Sequence, residues 1–298
     1  MLFLERLNKE FKGKLSIALK IFSNTYKKKF LYQLVSSQLD MDRLDYLNRD
    51  SFFTGVSEGV ISSERIIKML SVVKDELVVE AKGIYSIENF IIARRIMYWQ
   101  VYLHKTVLSA EYLLVNILKR AKQLCLTPNP RAKGRGAELF CTPALREFLY
   151  SQHDKKAFAK TPALLDAFAE LDDNDIFTSV KVWANHSNDF TLSTLCKNLV
   201  DRKLYKAIIQ NEPFSEGVVN GLKAKVKKKY NISDSEADCF VFSQEVTNDA
   251  YRPDKIRINI QYKDGKIADI TTASDQAYIA ALQKTVKKYF LCFPKEFV

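Results

Sequence analysis

From residue 1 to about residue 205, apolar positions recur at spacings of three and four, the period of helices with one buried face. "LSIALKIF" is an amphipathic set of turns. The run "SSQLDMDRLDYLNRDS" (36–51) follows with no glycine or proline in it. Two glycines in "TGVSEGV" (54–60) end that helix, and "SSERIIKML" restarts a short one behind a serine cap and a glutamate. "DELVVEAKG" predicts a short strand pair or an extended excursion. From Ser86 to about Leu124 the chain again lacks glycine and proline. This predicts one helix of about 55–60 Å at 1.5 Å rise per residue. "TPNPRAKGRGAE" punctuates its end, and further helices run through "TLSTLCKNLVDRKLY".

The texture changes after about residue 206. "LKAKVKKKY" is helical, and "SDSEADCFVFSQEV" passes from an S-x-x-E capping box into a strand. "IRINIQY" alternates strictly, and "KDGKIADIT" carries an Asp-Gly hairpin signal. A helix around 275–287 and the strand "YFLCF" follow. The expected fold is mainly α, a helical body over 1–205, with a small α+β domain over 206–298 built on an antiparallel sheet.

Composition adds little to this picture. The apolar share of 47% and charged share of 27% are those of an ordinary globular protein. No apolar run approaches a membrane span, and "MLFLERLNKEF" has charges inside its apolar stretch, unlike a signal peptide. Five scattered cysteines make neither a zinc knuckle nor a disulfide framework, and a reducing cytoplasm is the expected compartment. The net charge of +11 gathers in lysine clusters at 26–29, 223–229 and 287–288 and in "RAKGRG" at 131–136. Without a recognition motif, these clusters read as solvated faces rather than a nucleic-acid surface.

The candidate chemistry lies on two helices. With residues 39 to 53 wound at about 100° per residue, Asp42, Arg43, Tyr46 and Asp50 share one arc with Leu39 and Phe53. A carboxylate, a guanidinium and a phenol side by side suit a hard cation and a phosphate, or alternatively a buried ion-pair network. On the longer helix Arg94, Tyr98 and Tyr102 follow one another by four, with Lys105 near the end of the stripe. Arginine is costly to bury unless an acid or a ligand phosphate pairs with it.

"SSQLDMDRLDYLNRDSFFTGV", followed by "IARRIMYWQVYLHK", resembles the HD-domain phosphohydrolases of the deoxynucleoside-triphosphate triphosphohydrolase group. The resemblance continues through "LDDNDIFTSVKVW", "DRKLYKAI" and "YRPDKIRINIQYKDGKIADI". It implies a divalent metal (Mn, Mg or Fe) held by a His, a His-Asp dipeptide and a distant Asp. It also implies attack at the α-phosphorus of a dNTP, releasing deoxynucleoside and triphosphate. Asp42 matches the distant metal-binding Asp. Arg43 and Arg94 match phosphate-contacting positions, and Tyr46, Asp50, Tyr98 and Tyr102 match the sugar pocket and its walls.

The sequence departs from the family where the chemistry begins. The pattern H…HD must precede Asp42, and residues 1 to 41 contain no histidine. The one His-Asp dipeptide, His153–Asp154, follows Asp42 and sits among lysines. The expectation is a chain lacking an upstream segment of about 100 residues, the scale of a small domain. It has no complete catalytic set, does not retain metal alone and is inactive by itself. An apolar groove should lie exposed on the helices at 14–50. The alternative is a non-catalytic nucleotide-binding or oligomerisation module that regulates an intact relative, with "DRKLYK" (201–206) matching a regulatory contact region in some of them. The expected partners are a dNTP or related nucleotide and further copies of the chain, with no membrane.

Overall fold

A computed structural model describes residues 1–126, 138–254 and 256–298. In chain order the first elements are α1 (Leu2–Glu10), α2 (Ser16–Phe22), α3 (Lys29–Val35), α4 (Met41–Thr54), α5 (Ser63–Met69), β1 (Leu70–Val73), β2 (Glu76–Glu80) and α6 (Ile84–Met97). Next come α7 (Lys105–Leu126), α8 (Pro143–Tyr150), α9 (Lys155–Lys160), α10 (Pro162–Glu170), α11 (Asp173–His186), α12 (Phe190–Val200), β3 (Lys206–Gln210), α13 (Glu216–Tyr230) and α14 (Asp234–Phe240). Then follow β4 (Phe242–Asn248), β5 (Asn259–Gln261), β6 (Ile267–Asp269), α15 (Ile270–Ala273), α16 (Ala277–Ala281) and β7 (Val286–Phe293). The protein is mainly α, and strands and helices mix in its C-terminal part. The basic stretch "RAKGRG" lies outside the described residues.

Two compact units interleave along the chain, and residue 205 is not where they divide. One comprises Met1–His104 with Val246–Lys287, the other Lys105–Glu245 with Lys288–Val298. In the first unit, Leu44 and Leu47 of α4, Ile87, Phe90 and Ile91 of α6, and Ile258, Ile260 and Ile270 from the C-terminal stretch form one core. The alternation in "IRINIQY" places Ile258 and Ile260 inward. β2 and β5 pair in parallel, Val79 opposite Ile260, within a sheet of order β1-β2-β5-β6. Only β5 and β6 of the C-terminal strands join this sheet, while β3, β7 and β4 form a separate sheet built from C-terminal strands alone. The strand pair read in "DELVVEAKG" is present, with β1 antiparallel to β2. The Asp-Gly hairpin joins β5 to β6, and Gly265 takes the left-handed conformation (φ 83°) that this turn requires.

The expected uninterrupted helix over 86–124 is broken. After α6 the residues Tyr98–Tyr102 widen into a π turn, where the Leu103 N–H donates to the Tyr98 carbonyl at 2.7 Å. α7 begins at Lys105, in the second unit, so Lys105 is not part of the Arg94–Tyr102 stripe. The helix expected at 275–287 shortens to α16, and the strand that follows already starts at Val286.

α1 and α2 bury no residue, and Phe11, Ile17 and Phe22 are each more than half exposed. Phe52 and Phe53, at the end of α4, meet edge-on at 5.3 Å with both rings in solvent. Phe53 therefore does not share the inward arc expected for it.

The second unit packs Leu113 and Ile117 of α7, Val180 and Trp183 of α11, and Leu192 and Leu195 of α12 as a buried helical core. Beside it the strands run in the order β3-β7-β4, with β3 and β7 antiparallel. The predicted capping box closes α14, Ser233 and Glu236 each accepting from the other's backbone N–H. Three lysines of α13 are paired: Lys223 with Asp238, Lys227 with Asp234 and Lys229 with Glu296.

Candidate functional site

α4 starts at Asp40, whose carboxylate caps the helix by accepting from the Arg43 N–H at 2.9 Å. The same carboxylate accepts from Ser37 N–H and from Arg43 Nε, both at 3.1 Å. Arg43 Nε also donates to the Ser37 carbonyl at 2.9 Å. One edge of the Arg43 guanidinium is thus fixed by the helix start. Its Nη groups have no hydrogen-bond partner among the described residues.

Arg94, on α6, is buried at 9% exposure. Its Nη1 donates to the Ala250 carbonyl at 3.2 Å, and its Nε finds no partner. No carboxylate lies within ion-pair reach of it among the described residues. The guanidinium carbon sits 5.8 Å from the centre of the Tyr98 ring, a cation–π distance. Burial, and then the positive charge of Arg43, hold its pKa below the ordinary guanidinium range. It remains a cation, so two positive groups are held near each other, one of them desolvated and short of a hydrogen bond.

The tyrosines close around this pair. Tyr98 meets Tyr102 edge-on at 5.1 Å, and Tyr102 meets Tyr46 edge-on at 6.1 Å. The Tyr102 hydroxyl donates to Asp50 Oδ2 at 2.7 Å. Burial and this carboxylate push the Tyr102 phenol upward. Burial, then Tyr98, raise Tyr46 against the opposing pull of Arg94 and Arg43. The Tyr46 and Tyr102 phenols are neutral near pH 7. Arg43, Tyr46, Asp50, Arg94, Tyr98 and Tyr102 are therefore brought together by α4, α6 and the π turn.

Asp42 is set apart from this group. It is exposed and makes no hydrogen bond or ion pair among the described residues. Nor does any group of three His, Cys, Asp or Glu side chains that could hold a metal ion occur among them. A single carboxylate does not fix a divalent cation, which needs several ligands in a set geometry. These residues do not fit the metal that the family resemblance implies. The His153–Asp154 dipeptide, in the other compact unit, has structural work. His153 Nε2 lies 2.9 Å from Glu147 Oε1, and its ring meets Phe148 and Phe158 edge-on. Asp154 caps α9, accepting from the Ala157 N–H at 2.8 Å.

Three contributors escape the sequence reading: Asp40, Gln38 and the segment around Ala250. An acid directly before a periodic run is a known start signal, so Asp40 was recognisable as a cap. Gln38 acts across 214 positions to Arg252 and Ala250 across 156 to Arg94, and no local pattern marks such pairings.

Comparison with known proteins agrees with this fold. The HD associated region family model matches residues 61–128. A phosphohydrolase from Bacteroides thetaiotaomicron, known from its crystal structure, is 50% identical and superposes with a TM-score of 0.89, over 98% of this chain and 70% of that one. The Bacillus subtilis protein YwfO is 30% identical over 283 residues, 93% of this chain. A shorter match of 97 residues, at 30% identity, is to a deoxynucleoside triphosphate triphosphohydrolase SAMHD1 homolog of Dictyostelium discoideum, covering 32% of this chain and 19% of that protein. Fold and similarity place the chain in the family of HD-type phosphohydrolases. The chain belongs to the family of the Bacteroides phosphohydrolase. It spans 60% of the length of its Bacillus relative. No helix among the described residues is long and apolar enough to cross a membrane.

Proposed function

We propose that these 298 residues carry the phosphate- and sugar-binding half of a deoxynucleoside triphosphate triphosphohydrolase site. In this reading the metal ligands come from residues outside them. The observation that carries it is Arg94. A guanidinium buried without a carboxylate, with a free Nε and a second arginine nearby, lacks the counter-charge that would offset its desolvation. A polyphosphate supplies that counter-charge and bidentate acceptors for both arginines. Tyr46 offers a ring face on which a deoxyribose can pack, and the Tyr102–Asp50 hydrogen bond holds the wall of that pocket. A divalent metal, where the full ligand set is present, polarises the phosphate and activates water. This chain's residues bind and orient the substrate.

The lack of a three-ligand group among the described residues also favours a second reading, a nucleotide-binding module without catalysis that regulates or assembles with an intact relative. Both readings require the arginine pair. Titration calorimetry of the purified chain with each dNTP, without metal, tests it: the wild type should bind weakly and Arg94→Met should bind at least about tenfold more weakly, the scale of a charge-assisted hydrogen bond. Equal affinities would remove the basis of both readings.

A further inference from the structure

We infer that Gln38 is a positioning residue that sets the Arg94 guanidinium by clamping the backbone of Arg252 and Ile256 beside Ala250; this rests on the anion-site reading given above. The Gln38 carboxamide is buried and fully engaged. Its Nε2 donates to the carbonyls of Arg252 at 2.6 Å and Ile256 at 2.7 Å, and its Oε1 accepts from the Arg252 N–H at 2.6 Å. Two donors and one acceptor in that arrangement match an amide alone, because a carboxylate would face two carbonyl oxygens. Two residues before Arg252, the Ala250 carbonyl receives the single hydrogen bond that Arg94 makes to the backbone.

The segment is anchored at its flanks as well. Asn248 Nδ2 donates to the Arg95 carbonyl at 3.2 Å, the Tyr251 hydroxyl accepts from the Ile258 N–H at 3.0 Å, and that hydroxyl also hydrogen-bonds Asp269. Tyr251 is buried at 1% exposure, so the backbone on either side of Ala250 has little freedom. Along the chain, Gln38 and Asp40 flank the core residue Leu39. Asp40 holds Arg43 directly, and Gln38 holds the Arg252 backbone, two residues from the carbonyl that receives Arg94. One tripeptide before α4 thereby orders both cations, and the C-terminal part of the chain becomes a working part of the site.

The test is a double-mutant cycle on metal-free binding of inorganic tripolyphosphate, with wild type, Gln38→Met, Arg94→Met and the double variant. Gln38→Met should weaken binding by about tenfold in the wild-type background and by less than about twofold where Arg94 is already Met, since residues acting through one another couple. Equal factors in both backgrounds, or no effect of Gln38→Met while Arg94→Met weakens binding, would overturn the positioning role and leave the anion site standing. Unchanged binding by Arg94→Met would overturn both. A second measurement needs no variant: backbone amide exchange over 250–258 in the wild type should slow when tripolyphosphate is added, because the anchored Arg94 restrains the segment. Exchange unaltered at saturating tripolyphosphate would count against the proposal.

Discussion

At the scale of single residues, the start of α4 separates two aspartates that look alike in the sequence. Asp40 is buried, caps the helix and holds Arg43, while Asp42 stands exposed in the first turn. Replacing Asp40 by alanine should cost about 1–2 kcal/mol from the lost cap alone. Asp42→Ala should stay within about 0.5 kcal/mol of wild type, as for an exposed substitution. Urea denaturation of the two variants checks this, and a reversed order would refute the assignment. The grouping of Arg94, Tyr98 and Tyr102 was legible because spacing by four survives most helical geometries. The arc drawn for α4 correctly gathered Arg43, Tyr46 and Asp50. It failed at Asp42 and Phe53, both exposed, because periodicity gives a residue's direction and not whether another element covers it.

Element boundaries were legible where a residue imposes them. Gly55 ends α4 in the left-handed conformation, and Gly265 turns the hairpin (φ 72° and 83°). The π turn at Tyr98–Tyr102 has no such marker, so an unbroken apolar–polar period concealed both the break and the boundary between compact units. Gly59 shows how tightly α4 and α6 approach: a Cβ there would sit 2.4 Å from Met97 Sδ and 3.0 Å from Ser51 Cβ. Met97 is fully buried, so its side chain must shift within a packed core. Gly59→Ala should therefore destabilise the chain by about 1–3 kcal/mol, the cost of overpacking. A melting temperature equal to wild type would show that Met97 repacks freely.

At the scale of the whole molecule, the change of texture near residue 206 marked where strands become frequent, and the mainly α class with a mixed C-terminal part followed from it. The pairing of β2 with β5 could not be read from either segment, because a parallel pair between distant strands leaves no turn signal. That pairing brings residues 246–287 into the unit that holds the candidate site. Under the proposed function this chain binds and orients the nucleotide, while the metal-holding residues lie elsewhere. The most direct measurement is deoxynucleoside release from each dNTP with Mn²⁺, Mg²⁺ or Fe²⁺. It should be made with the chain alone and with the H…HD-bearing segment of a relative fused or added in trans. The expected result is no turnover by the chain alone and turnover once that segment is supplied. Robust turnover by the chain alone, abolished by Asp42→Ala, would contradict it.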